Sequence, residues 1–311
     1  MHVAVIGPTG FGGSHVCKEL LDRGHVVTGL SRTPEKLGKH ENYKPVTLDF
    51  SQAPIERLVE AFKGADVLVN AYNPPGGPGM YTLETFLETG RKIVLAVKAA
   101  GKGPYLVTIG GTGSLALGPK YPYQTAADSR DFWLAYRRAV ADSEAATSHM
   151  EDRLGAGPMA DAMRAYRRAR TALKAGEADE TDRKTIQDVE DAVKFGENPV
   201  PDLPLAARAS FLWYEDNESF RWSFVSPPPQ YRPGPRTGRY EVVRDVVPLA
   251  AASGAESSDD NEFEGRLAGA SAADLAVAIA DEIDKQEKVG WHWSVVASLD
   301  DDSYMPTNVT V

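Results

Sequence analysis

The chain has 311 residues, a single cysteine (Cys17) and a formal net charge of −10, from 34 Lys and Arg against 44 Asp and Glu. One cysteine excludes an internal disulfide framework and a cysteine-based metal site, and a chain of this length buries enough surface to need neither. The acidic balance argues against a nucleic-acid partner, because such binding rests on cationic neutralisation of phosphates.

In chain order, residues 1–120 alternate short β-branched runs with helical patterns, the signature of a parallel sheet covered on both faces. Strands are expected at 3–6, 26–30, 45–48, 67–70 and 105–109. Helices are expected at 13–23, near 55–62 after Pro54, and at 83–100 with Thr82 as cap. Right-handed crossovers make this a doubly wound α/β unit of the Rossmann type. Residues 121–205 lose the strand pattern and read as a helical insertion of two or three helices, broken at 155–158 and ended by Pro199, Pro201 and Pro204. After 205 the α/β pattern resumes: a helix at 205–214, a strand at 222–226, a Pro-rich loop, a strand at 239–243 and a flexible acidic stretch at 253–262. The final helix is expected to start at Ser271 with a capping box to Asp274, before a last strand at 291–296. The opening apolar run is too short for a secretory core or a membrane span, so a cytoplasmic protein with no membrane partner is expected. On that reading the sequons at Asn217 and Asn308 stay unmodified.

Charge is unevenly spread. Residues 1–120 carry 13 Lys and Arg against 10 Asp and Glu, a net of +3, whereas residues 206–311 carry 9 against 18, a net of −9. A phosphorylated ligand therefore belongs with the first third.

The strongest motif is there. A strand runs into Gly7-x-x-Gly10-x-x-Gly13, a helix follows, and a second strand ends at Leu30. Gly7 suits the tight turn, Gly10 the close approach of a pyrophosphate, and Gly13 the packing of helix against strand. The pyrophosphate would then lie over the amides at the positive end of that helix. An NAD site usually has Asp or Glu some twenty residues past the glycines, to bond the ribose 2′-hydroxyl. This chain reads Leu30-Ser31-Arg32 instead, with no acid before Glu35. The expected cofactor is therefore NADP(H), with Arg32 on the 2′-phosphate and Ser31 and Thr33 assisting.

The glycine loop, Ser31-Arg32, Asp49 after the third strand, residues 70–73 (Asn-Ala-Tyr-Asn) after the fourth and 109–114 (Ile-Gly-Gly-Thr-Gly-Ser) after the fifth resemble an atypical short-chain dehydrogenase/reductase, closest to the NmrA-like NAD(P)H-binding proteins with epimerase-like names. The resemblance covers 1–120 and 206–296; residues 121–205 have no counterpart in the short members. It implies that Thr9, Phe11 and Gly12 join the three glycines at the cofactor. It further implies that Asp49 and Phe50 border the adenine, that Asn70, Ala71 and Tyr72 line the ribose and pyrophosphate path, and that Gly110, Gly111, Ser114, Ser226 and Pro227 flank the nicotinamide.

The wider superfamily pairs a tyrosine with a lysine four residues on, the lysine easing proton exchange by the phenol. No tyrosine here has that lysine, and Tyr136 has Val140 in its place. A proton donor must come from elsewhere, and Ser114, Tyr121 and Tyr123 follow the fifth strand where the nicotinamide is expected. The six histidines show no metal-ligand spacing and read as surface or packing residues. The insertion leaves the sheet at its carboxyl edge, where it could cover the nicotinamide as a lid. Three functions remain open at this level. They are an NADP(H)-dependent oxidoreductase reducing a small or medium organic carbonyl, enone or imine; a redox-neutral isomerase, epimerase, dehydratase or cyclase; and a non-catalytic NADP-binding regulator.

Overall fold

The computed structural model describes residues 1–74, 83–101, 103–197, 200, 202–251, 261–299 and 305–311. The expected cap Thr82, the breakers Pro199 and Pro201 and nearly all of the acidic stretch lie outside these residues.

Ten strands and nine α-helices occur among the described residues: β1 His2–Ile6, α1 Phe11–Asp22, β2 Val26–Ser31, β3 Tyr43–Thr47, α2 Ile55–Phe62, β4 Val67–Asn70, α3 Leu83–Ala99, β5 Tyr105–Ile109, α4 Arg130–Asp142, α5 Glu144–Leu154, α6 Pro158–Ala175, α7 Glu180–Phe195, α8 Asp202–Phe211, β6 Trp222–Val225, β7 Gln230–Arg232, β8 Glu241–Arg244, β9 Gly269–Ser271, α9 Ala272–Lys285 and β10 His292–Val296. Eight strands form one sheet in the order β3-β2-β1-β4-β5-β6-β10-β8, all parallel except β8, which runs antiparallel to β10. The order reverses between β1 and β4, the switch point at which doubly wound sheets bind ligands. A separate two-stranded parallel sheet pairs β7 with β9.

The sheet separates two apolar layers. On one face Val3, Val5, Val67, Val69 and Val107 pack with Val16, Cys17 and Leu20 of α1 and with Leu275, Ile279 and Ile283 of α9. On the other, Ala4, Ile6, Leu68 and Leu106 pack with Leu58 and Phe62 of α2, Ile93 and Val97 of α3, and Tyr214. The alternation along β1 explains why that strand reads as continuously apolar: both faces are covered.

The insertion holds four helices rather than two or three, with α8 leading back to the sheet. Ser129, Ser143 and Asp179 cap α4, α5 and α7 through side-chain oxygens that accept from Phe132, Ala146 and Asp182 amides. Each such cap contributes about 1 kcal/mol, and two of them fall at short junctions that periodicity does not mark. Phe132, Trp133 and Leu134 of α4 form a third core with Leu115, Leu117, Phe263 and Leu267. Met159, in the first turn of α6, is exposed. Three of the four arginines of α6 pair with acids on the preceding helices: Arg164 with Glu144 and Glu151, Arg167 with Glu144, and Arg170 with Asp142.

Two other expectations change. Strand β7 lies inside the Pro-rich loop, where three residues between prolines gave no signal. At α9, Ser271 accepts from the Asp274 amide, but the fully buried Asp274 carboxylate does not close a capping box. It takes the Thr237 and Gly238 amides and the Thr237 hydroxyl, fixing the loop before β8.

Candidate cofactor and active site

The glycine loop has the geometry its spacing requires. Gly7 adopts φ +75°, and a Cβ there would meet the carbonyl oxygen of Ala71 at 2.7 Å. A Cβ on Gly13 would strike the carbonyl of Gly7, so α1 can leave β1 this closely only with glycine at that position. At Gly10, by contrast, a Cβ would meet only Gly7 O at 3.4 Å, and the residue is exposed. The surface over Gly10 is thus the side from which a diphosphate can approach the first amides of α1. Thr9 and Phe11 are half-buried beside it.

At the end of β2 the Ser31 hydroxyl is buried with no hydrogen-bond partner, a group that calls for one. Arg32 next to it is exposed and engages no hydrogen bond or ion pair among the described residues. Asp49 lies close by. The Ser51 hydroxyl donates to its Oδ1 at 2.7 Å and holds the carboxyl below its ordinary value, with Arg32 adding to the effect. Asp49 thereby also shapes the turn into α2. The Phe50 ring points into the core beside Phe62. An orphaned hydroxyl and an uncommitted guanidinium thus stand side by side at the end of β2.

The fourth strand ends at Asn70, whose Oδ1 accepts from the Tyr72 amide at 3.1 Å, while Ala71 donates to Ile6 O. Tyr72 packs towards Phe86, with ring centroids 6.5 Å apart. After β5, a Cβ on Gly110 would run into the Phe224 ring and one on Gly111 into Ala207 of α8, so both glycines serve close packing at the carboxyl edge.

Ser114 ends a 3-10 turn, Thr112–Ser114, and is 5% exposed. Its Oγ stands 2.7 Å from Ser226 Oγ and 3.2 Å from His292 Nε2, and donates to Gly111 O at 2.9 Å. Ser226 Oγ lies 2.9 Å from the same Nε2. Thr112 donates to Pro227 O at 2.8 Å, tying the turn to the segment after β6. The His292 ring rests on Phe211, with centroids 4.2 Å apart, and edge-on to Phe224. Burial among these rings pushes its imidazole down to about 4, so His292 is neutral at physiological pH. Its Nδ1 faces Asp245 Oδ1 at 3.8 Å.

Sequence reading singled out Ser114 and Ser226 but not His292. Its only signal was the polar side chain inside Trp291-His292-Trp293, in the strand that follows β6 in the sheet. Tyr121 and Tyr123 are not brought to this cluster. The Tyr121 ring packs near Phe263 and its hydroxyl is held by Glu262, which raises it. Tyr123 occupies φ 67° at a turn and is fully exposed. A bridge between Ala116 and Thr125 closes the loop that carries both tyrosines.

The insertion meets the cofactor loop elsewhere. His149 of α5 places its ring on Phe11, with centroids 4.3 Å apart, and Tyr231 of β7 covers Phe11 from another side at 4.7 Å. A cleft of about 470 Å³ opens between α4 and the small sheet, lined by Ala135, Asp142, Gln230, Glu264, Leu267 and Leu299.

Comparison with known proteins agrees with this geometry. Residues 7–152 match the model of a family described as NAD(P)H-binding. The Bacillus subtilis protein YwnB is 24% identical over 301 residues, spanning 96% of this chain and all of that one. A protein of Bacteroides thetaiotaomicron named as a candidate epimerase superposes with a TM-score of 0.60 at 22% identity, covering 97% of this chain and 99% of its own. A candidate NADH-flavin reductase of Streptococcus pneumoniae superposes with a TM-score of 0.55 at 17% identity, over 96% of this chain and all of that one. No helix among the described residues is long and apolar enough to cross a membrane. The strand order and the glycine loop are those of a Rossmann-type α/β fold, and residues 7–152 are similar to the NAD(P)H-binding family.

Proposed function

We propose that the protein is an NADP(H)-dependent oxidoreductase that reduces a small or medium organic carbonyl, enone or imine. The observation that carries the choice of NADP is the pair at the end of β2: Ser31 Oγ buried without a partner, and Arg32 exposed and uncommitted. A 2′-phosphate satisfies both, whereas a 2′-hydroxyl would need an acid that this strand end lacks. Gly7, Thr9, Gly10, Phe11, Gly12 and Gly13 would hold the diphosphate. Asp49 and Phe50 would border the adenine, and Asn70, Ala71 and Tyr72 the adenosine ribose. Gly110, Gly111, Ser226 and Pro227 would flank the nicotinamide. When bound, NADPH supplies hydride; the protein supplies orientation, and Ser114 offers a hydroxyl to the substrate oxygen.

Residues 121–205 act in this reading as an insertion on one α/β domain formed by 1–120 and 206–311. The contact of His149 with Phe11 makes the insertion a cover for the cofactor loop as well as a wall of the substrate side. The test is NADPH consumption by the purified protein with a panel of carbonyls, enones, imines and flavins. Turnover with a carbonyl, an enone or an imine supports the reading, and NADPH binding without consumption across the panel sinks it. A redox-neutral reaction on the same site has one observation in its favour, the lack of a Tyr-x-x-x-Lys pair, and would show as product formation with no net NADPH loss.

A further inference from the structure

Four groups on four separate segments converge at the carboxyl edge: Ser114 after β5, Ser226 after β6, His292 opening β10, and Asp245 at the end of β8. Nothing in chain order suggests their meeting, because 178 positions separate Ser114 from His292. Buried polar groups of this kind normally have a fully assigned set of donors and acceptors, so the protons can be counted.

Gly111 O and the Asp245 carboxylate only accept, and each serine has one proton. A carboxylate facing Nδ1 favours the tautomer with the proton on Nδ1, which leaves Nε2 as acceptor. Ser226 then donates to Nε2 at 2.9 Å, and Ser114 turns its proton between Gly111 O at 2.9 Å and Ser226 Oγ at 2.7 Å. With the proton on Nδ1, the donors run from Ser114 through Ser226 to Nε2. Asp245 itself sits at φ 63°, a left-handed conformation that aspartate adopts more readily than most non-glycine residues. It is held there by its amide on His292 O at 3.0 Å and by its carbonyl, which takes the Ala116 amide at 2.9 Å. Two backbone bonds thus pin Asp245 to the strand that carries His292 and to the segment that carries Ser114.

We propose that Ser114, Ser226, His292 and Asp245 form a proton relay to the substrate oxygen, replacing the missing Tyr-Lys pair. This rests on the oxidoreductase reading. In the reductive direction the reactive form is the imidazolium, with protons on both nitrogens. As the carbonyl carbon receives hydride, the π pair of the C=O bond moves onto oxygen, and that oxygen takes the Ser114 proton. Ser114 takes the proton of Ser226, Ser226 takes that of Nε2, and a neutral His292 with its proton on Nδ1 remains. After product leaves, water reprotonates Nε2 through the same hydroxyls. In the oxidative direction every transfer reverses, and neutral His292 is the base. Ser114 is the catalytic residue here; Ser226, His292 and Asp245 are positioning and proton-holding residues. The charged groups near the imidazole are Asp245 and its neighbour Arg244, both from the β8 end. The sides formed by α8 and β6 present Phe211 and Phe224.

The relay is tested in two ways on the full chain. Nitrogen-15 NMR of histidine at neutral pH, without cofactor, should show His292 with its proton on Nδ1, and Asp245→Asn should move the balance towards Nε2. A wild-type His292 protonated on Nε2, unmoved by Asp245→Asn, overturns the relay. With NADPH and a reducible substrate, log kcat should fall by about one per pH unit between about pH 6 and pH 9, as the imidazolium is depleted. His292→Gln should flatten that slope, and Ser226→Ala, which removes no ring from the core, should lower kcat about tenfold or more at saturating NADPH. A pH-independent kcat in the wild type, or Ser226→Ala with unaltered kcat, overturns the relay. NADPH binding by tryptophan fluorescence separates the two claims. Failure to bind overturns the oxidoreductase reading and the relay with it, whereas binding and turnover without the pH slope overturn the relay alone.

Discussion

The ring of His149, on the second helix of the insertion, lies against the ring of Phe11 in the cofactor loop, their centroids 4.3 Å apart. His149 is also tied to the C-terminal segment, through Nδ1 to the Thr307 hydroxyl at 3.2 Å, and the amide of Val309 donates to Ser14 of α1. The insertion, the tail and the first turns of α1 therefore form one packed body around the glycine loop. His149→Ala removes both contacts. Its expected cost is about 2 to 4 kcal/mol, as for other large-to-small changes in a core, read as a lower midpoint in denaturant unfolding. Cofactor affinity should fall with it, because the loop loses its cover.

The glycines separate fold from function. Gly13→Ala should destabilise the whole domain by about 2 kcal/mol or more, since the added methyl meets backbone that cannot move aside. Gly10→Ala meets only Gly7 O at 3.4 Å and should leave the unfolding midpoint nearly unchanged. It should nonetheless weaken NADPH binding at least about tenfold, or about 1.4 kcal/mol, by standing where the diphosphate approaches. Thermal unfolding and fluorescence titration of the two variants read these effects separately.

Arg32→Ala should weaken NADPH binding by about 1.5 to 3 kcal/mol, the usual size for a charge-assisted hydrogen bond, and leave NADH binding unaltered. Equal losses for both nucleotides would mean that Arg32 does not meet the 2′-phosphate.

Buried histidines set an acid limit. Burial pushes His149 down to about 3 and His292 down to about 4, and both lie below the ordinary histidine value of 6.5. Between these values the unfolded chain binds more protons than the folded one, so stability falls as pH falls. The loss begins near pH 6.5, above the range in which carboxylates titrate, and each unit of separation is worth about 1.4 kcal/mol per histidine. Urea unfolding from pH 7 to pH 5 should show this slope, and His149→Gln should reduce it.

Within the insertion, Glu190 takes both Arg138 nitrogens, at 2.8 and 2.6 Å, and the Tyr166 hydroxyl. Glu190→Ala should cost about 3 kcal/mol by taking from the largely buried Arg138 guanidinium the closer of its two carboxylates, Glu264 at 3.1 Å being the other. Hydrogen exchange should locate the loosening in α4, α6 and α7, with the main sheet unaffected.

The sheet was legible because buried parallel strands announce themselves as runs such as Val3-Ala-Val-Ile6, and the glycine loop because its three roles impose a fixed spacing. Arg32 and Ser114 were legible from their places after β2 and β5. What escaped depends on contacts distant in sequence. His292 became a site residue only through its closeness to Ser114 and Ser226, and its sequence neighbours gave it no more than a packing role. Strand β7 is three residues between prolines, paired to a segment some 40 positions later. The junction between α4 and α5 is a single serine, and in a run of Ala, Glu and Arg the periodicity passes through it without a mark. Tyr121 and Tyr123 were close to Ser114 in sequence, but the turn at 118–124 sends them elsewhere.

A crystal structure with NADPH bound tests the central claim most directly. The 2′-phosphate should lie on Arg32 and the Ser31 hydroxyl, the diphosphate over the amides beyond Gly10, and the nicotinamide C4 beside the Ser114 hydroxyl. A 2′-phosphate turned away from Arg32, or a nicotinamide ring out of reach of Ser114, would contradict it.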